Sequence, residues 1–255
     1  MTAVLAATRM HLAMVASRPI DAIALMTTPL LSVVFASVGR AAGREDFLVT
    51  AITGAGLIGL WVLTVNQTGD LISTDRWQGT LELLLAAPAS LSSIVLGRLS
   101  AVVAIGTLAF AESYLVATVV FGASIEIHHP VIFAVTLLAT LVAIAGTACL
   151  LAPLFVLSRN TVLFEVVLTY PFYILGAVLF PVELLPEWLR PVSDVVFLSW
   201  SSQLLRDAAG AAPVAALPYR LGALLTLGLA AYMAGHLLTN LVVRRIRRDG
   251  TVGHA

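Results

Sequence analysis

Six stretches of this chain are apolar for about the length of a bilayer crossing, and that repetition limits the fold more than any other feature. A hydrocarbon core of about 30 Å is crossed by about 20 apolar residues of α-helix. Stretches of this kind run roughly over Ile20–Val38, Phe47–Leu71, Ile94–Ala123, Val131–Leu157, Val162–Phe180 and Pro218–Val243. Charged residues make up only 11% of the chain, against about 25% in soluble domains. A water-soluble fold has no means of covering so much apolar surface with a polar exterior. The expectation is an all-α, polytopic membrane protein: a single transmembrane domain over 1–255 with six transmembrane helices.

The arginines give an orientation. Six spans put both termini on one side, which then carries Arg9, Arg18, Arg76, Arg98, Arg159, Arg244, Arg245, Arg247 and Arg248. The other side carries Arg40, Arg44, Arg190, Arg206 and Arg220. Nine against five places both termini in the cytoplasm, with 244–255 as a cytoplasmic tail. Residues 1–18 precede the first span on a leader too long, before an apolar run too long, for a signal peptide. They are expected as an N-terminal surface helix.

All fourteen basic residues are arginine. Without lysine there is no P-loop, whose lysine must reach the β- and γ-phosphates, and no Schiff-base or Ser–Lys chemistry. The balanced charge gives no footprint for nucleic acid. The single Cys149 excludes an intrachain disulfide. Small residues recur at four-residue spacing, Ala51, Ala55 and Gly59 in the second span and Ala231 and Gly235 in the sixth. Such spacing lets helix backbones approach closely in lipid, either within the chain or across a dimer seam.

Two segments are not spans. Between the second and third, Asp75 and Gln78 have the spacing of a capping box. Trp77, Leu81, Leu84 and Leu85 would then share one helical face, and Pro88 stops the helix. This short amphipathic helix over 75–88 either rests among lipid headgroups or docks into a soluble partner. Between the fifth and sixth spans, 181–217 carries Pro181, Pro186 and Pro191 and apolar pieces too short to cross. Pieces of about 10–14 residues suit an interfacial or re-entrant hairpin, and non-helical backbone at that depth needs a protein or water-filled surround.

These two segments carry a resemblance. The first reads Arg76-Trp77-Gln78-Gly79-Thr80-Leu81-Glu82-Leu83-Leu84-Leu85-Ala86-Ala87-Pro88. The second reads Tyr170-Pro171-Phe172-Tyr173-Ile174-Leu175-Gly176-Ala177-Val178-Leu179-Phe180-Pro181, followed by Leu185-Pro186-Glu187-Trp188-Leu189. In this order, on opposite sides of the membrane, they resemble the type-2 ABC transporter permeases, bacterial exporters of drugs, lipids and polysaccharides. Trp77-Gln78 departs from the pattern, which often has a second charged pair there.

The resemblance implies a permease that works as a homo- or heterodimer in the bacterial inner membrane. It would be bound to two copies of a separate ATP-binding subunit that holds ATP and Mg. This chain would have no cofactor, metal or catalytic residue of its own. Coupling to the ATPase would fall to Asp75, Arg76, Trp77, Gln78, Gly79, Thr80, Leu81, Glu82, Leu84 and Leu85. An external gate would include Phe180, Pro181, Pro186, Trp188 and Trp200.

Charged groups inside a span are costly and are functional candidates by default. Glu112 is the deepest, and either lines the substrate path or is satisfied by Ser or Tyr neighbours in the bundle. Glu165 and Asp70 sit nearer the headgroups, and Asn66 and Gln67 deeper, where they either face substrate or bond across helices. His128 and His129 have no carboxylate or Cys cluster beyond Glu126 with which to hold a metal. The scarcity of aromatic residues, 7% of the chain, favours an amphipathic drug, antibiotic or lipid as substrate. Polysaccharide or glycolipid export, and ion-coupled secondary transport through Glu112, are the alternatives.

Overall fold

The computed structural model describes residues 2–16, 27–41, 43, 47–80, 91–122, 126–158, 161–180 and 182–249. Among them the regular structure is helical: α1 (Thr2–Ala16), α2 (Thr27–Ala41), α3 (Phe47–Trp77), α4 (Leu91–Gly106), α5 (Leu108–Val119), α6 (Pro130–Leu157) and α7 (Thr161–Leu175). A single 3-10 turn (Val182–Leu184), α8 (Arg190–Val195), α9 (Phe197–Ala209) and α10 (Leu217–Asp249) complete it. Four stretches are long and apolar enough to cross a membrane: Leu48–Trp77, Ser93–Val119, Pro130–Leu157 and Leu217–Arg245. Two shorter apolar helices, Thr28–Ala41 and Glu165–Leu175, fall in the expected first and fifth spans. Residues 17–26, which hold the start of the expected first span, lie outside the described residues.

α3 is the centre of the bundle. It touches α2, α4, α5, α6, α7 and α9, and 78% of its apolar window is buried, against 17% for α10. Apolar side chains alone do not drive helices together in lipid, so close packing has to. Ala51, Ala55 and Leu57 on α3 are fully covered, and a Cβ at Gly59 would strike Thr28 of α2. The longest seam joins α6 and α10. There a Cβ at Gly228 would lie 2.5 Å from the Ala143 Cα, and one at Gly235 2.5 Å from the Cys149 carbonyl. Gly59 and Gly235 therefore serve packing within the chain. The order of these contacts makes α6 and α10 parallel neighbours.

Three expected boundaries change. The third span is two helices, broken at Thr107, whose hydroxyl bonds the Ala104 carbonyl at 2.6 Å. The fifth does not reach Phe180: α7 stops at Leu175 in a Schellman turn, with Val178 N donating to Tyr173 O and Ala177 N to Ile174 O. Ala177 takes the left-handed position at φ +45°, although Gly176 stands beside it. Gly176 is needed elsewhere, because a Cβ there would lie 2.8 Å from the Leu198 Cβ of α9. Finally, α10 continues to Asp249, so Arg244, Arg245 and Arg248 stand on a helix; 250–255 lie outside the described residues.

α1 lies along α4, where Thr8 donates to the Gly97 carbonyl at 2.8 Å and Gly97 admits Val4 and Ala7.

Candidate functional site

The residues singled out by sequence fall at three levels along α3. At its Trp77 end, the capping box predicted at Asp75 does not form. Asp75 lies in the last turn of α3 and starts no helix. Its Oδ2 pairs with Arg98 Nη1 of α4 at 2.5 Å, and its Oδ1 accepts from the Thr80 hydroxyl at 3.3 Å. The helix ends where Gly79 turns left-handed at φ +66°. That conformation favours glycine, and among the described residues nothing lies within 4 Å of a Cβ there. Arg76 reaches the end of α6, with Nη2 donating to Val156 O at 2.6 Å and Nη1 to Ser158 O at 3.0 Å. A cation on the last carbonyls of a helix satisfies orphan acceptors and opposes the negative end of the helix dipole. Trp77 is 90% exposed, and Gln78 is exposed beside it. Leu81, Glu82, Leu84 and Leu85 lie outside the described residues.

In the span itself the expected path residues do not gather. Asn66 and Asp70 are exposed one turn apart on α3, with Gln67 half-buried. Glu165 of α7 joins them, its Oε1 pressed against the Cα side of Gly69. Glu112 is on α5, whose Phe110 ring covers Gly56. Gly56 and Gly69 are separated by about 20 Å along the helix at 1.5 Å per residue. Ser113, beside Glu112, is bonded to Ser32 of α2 at 2.9 Å, and among the described residues the buried Oε2 of Glu112 has no partner.

At the third level α7 ends and α9 begins. Trp61, fully buried, stacks on Phe172 with ring centroids 4.5 Å apart and meets Phe197 at 5.7 Å. It lies about 21 Å along α3 from Phe47 at 1.5 Å per residue. The carbonyls left open at the end of α7 are all reached by side chains from the following segment. Ser193 donates to Leu175 O at 2.5 Å, Ser202 to Gly176 O at 2.9 Å, and Arg206 to Ala177 O at 2.9 Å and Val178 O at 3.3 Å. Burial lowers the Arg206 pKa from its usual value while Asp207 and Glu183 act to raise it, and a guanidinium stays charged throughout. α9 then runs to His129, whose backbone N–H donates to Ala208 O at 3.0 Å. The rings of His128 and His129 bond Ala209 O and Ala212 O, each at 3.1 Å. This histidine pair caps a helix end, and among the described residues no three His, Cys, Asp or Glu side chains converge.

The expected gate residues are spread over this segment. Trp200 is half-buried, edge-on to Tyr219 at 5.8 Å, and its Nε1 donates to Asp194 O at 2.8 Å. Phe180 is half-buried and Pro186 exposed, Trp188 is 74% exposed, and Pro181 lies outside the described residues. Arg190 holds the loop by donating to Glu183 O and Leu185 O at 2.9 and 3.2 Å. Glu183, Gln203, Arg206 and Asp207 line an open basin of about 480 Å³.

Sequence reasoning missed Trp61, Arg98, Ser193, Ser202 and Arg206. The signal for Arg206 was the Ser199–Arg206 run, where hydroxyls and a cation recur at helical spacing within a segment otherwise apolar.

No curated protein matches the chain. The family pattern described as ABC-2 type transporter matches residues 3–209. That segment takes in α1 to α9 and both segments on which the resemblance rested, and the chain belongs to the ABC-2 type transporter family.

Proposed function

We propose that this permease subunit is the membrane half of an ATP-driven exporter, docking a separate ATP-binding subunit through the segment that begins at Asp75. The observation that carries the reading is the end of α3. Asp75 and Arg76 tie it to α4 and α6, while Trp77 projects uncovered immediately before Gly79-Thr80-Leu81-Glu82. A large apolar ring held at a fixed place and left uncovered is the form of an interface anchor.

Family membership and the arginine bias support the remaining parts of the reading. The chain crosses the bacterial inner membrane six times, with both termini in the cytoplasm. It pairs with a second permease, identical or related, and two ATP-binding subunits supply ATP and Mg. Asn66, Gln67, Glu165 and Glu112 line the route of an amphipathic drug, antibiotic or lipid at two separate depths. Three observations support reading the segment after α7 as a re-entrant external hairpin. α7 ends at the level of Gly54 to Trp61, α9 starts at that same level, and α9 finishes against His128 and His129 at the head of α6.

The test is Trp77→Ala. Truncating a hot-spot ring often costs about 2 kcal/mol or more, which at about 1.4 kcal/mol per tenfold is roughly a thirtyfold loss of affinity. The variant is expected to insert normally and to lose co-purification of a co-expressed ATP-binding subunit. Undiminished co-purification would remove this docking site.

A further inference from the structure

We propose that Asp75 and Arg98 are a positioning pair for energy coupling, the joint through which movement of the docking segment reaches the transmembrane helices. The inference rests on the reading that this segment docks the ATPase.

The pair is enclosed, with side-chain exposures of 9% for Arg98 and 14% for Asp75. Enclosing two charges carries a large desolvation cost, and well-packed apolar replacements are often as stable or more so. Stability alone is therefore a weak reason to keep such a pair between two apolar helices, and its connections supply a better one. The two oxygens of one carboxylate reach different parts. Oδ2 holds Arg98 of α4, and Oδ1 accepts from Thr80, the first hydroxyl of the docking segment. The next residue, Arg76, holds the last carbonyls of α6. A displacement of Thr80 thus acts on α3, α4 and α6 through two consecutive residues.

The site also has room to change. Beside Arg98 lies a cavity of about 20 Å³, bounded by Thr68, Leu71, Ala152 and Thr239. That is enough for about one water. Among the described residues the buried Arg98 Nε has no partner. Free volume beside an orphaned donor lets the guanidinium tilt when Asp75 is pulled, which a close-packed, fully satisfied staple would resist.

The experiment uses the full permease with its ATPase in proteoliposomes, in a Cys149→Ala background with Trp188→Cys as reporter. A membrane-impermeant maleimide reports how much ATP plus vanadate changes the labelling rate of that cysteine. Arg98→Gln is expected to retain the ATPase and its hydrolysis and to lose about fivefold or more of the nucleotide-dependent labelling change, the lower end of couplings between distant sites. Arg98→Lys, which keeps the charge, is expected to preserve it, and the exchange Asp75→Arg with Arg98→Asp to restore it in part. A pair that only stabilises the fold would lower the melting temperature of Arg98→Gln and leave the response of the folded fraction intact. That result, or an unchanged response in every variant, overturns the proposal. Loss of ATPase co-purification in Trp77→Ala is a separate measurement, so failure of the docking reading is told apart from failure of the joint.

Discussion

Replacing Arg206 by Met tests how the segment after α7 is held. The guanidinium donates to Ala177 O at 2.9 Å and to Val178 O at 3.3 Å, and no other hydrogen bond to these two carbonyls is described apart from Ser202 to Ala177 O at 3.4 Å. Methionine keeps the length and apolar stem and removes the donors. Hydrogen bonds to a charged group are worth about 1.5–3 kcal/mol net. At about 1.4 kcal/mol per tenfold, local opening of α9 from α7 becomes about 10- to 100-fold more frequent. Ala208 is fully buried on α9, so Ala208→Cys in a Cys149→Ala background is shielded until α9 separates. The labelling rate of that cysteine by an impermeant maleimide should rise by the same factor in Arg206→Met. Ser202→Ala, which removes a neutral bond to Gly176 O at 2.9 Å, should give a smaller rise, about fivefold for about 1 kcal/mol. An unchanged rate in Arg206→Met would show that the end of α7 is held by packing alone, and the capping argument would fail.

Trp61→Ala removes the ring that joins Phe172 and Phe197 and should cost about 3–5 kcal/mol, read as a lowered thermal midpoint of the detergent-solubilised protein. Gly235→Leu drives a side chain into the Cys149–Leu150 backbone and should cost at least the about 1–3 kcal/mol typical of overpacking, seen as loss of monodisperse folded protein. Reporter fusions after Ala255 and within 39–46 should lie on opposite sides of the membrane; the same side for both would refute six spans.

The long helices were legible because their signal is composition over a whole window. Phe47–Leu71, Val131–Leu157 and Pro218–Val243 recur as the cores of α3, α6 and α10. What failed was local chemistry with two meanings. Asp75 followed by Gln78 is a helix start when the carboxylate turns back to its own backbone. It is a helix end when a cation, here Arg98, draws it away, and only tertiary structure decides between them. Gly176 and Ala177 failed for a related reason. Glycine is the expected residue at a left-handed helix end, yet here the close approach of Leu198 takes the glycine and leaves alanine at φ +45°. Arg206, read from sequence as a charge on the outer side, reaches backbone carbonyls 28 and 29 residues earlier.

The central position of α3 links the two halves of the proposed mechanism. Its Trp77 end is held to α4 and α6 through Asp75 and Arg76, and its middle holds the end of α7 and the start of α9 through Trp61. Between Trp61 and Asp75 the helix is unbroken and carries no proline. About 21 Å separate these two attachments at 1.5 Å per residue. An uninterrupted helix over that length transmits rotation or tilt as a rigid element and offers no hinge that would absorb it. On the proposed reading, a push at Thr80 therefore reaches Trp61 as movement of the whole helix. The break at Thr107 lies in the neighbouring α4–α5 span, where Gly106 admits Leu60 of α3. That span is where the bundle can yield when α3 tilts, since its two halves are already separate helices.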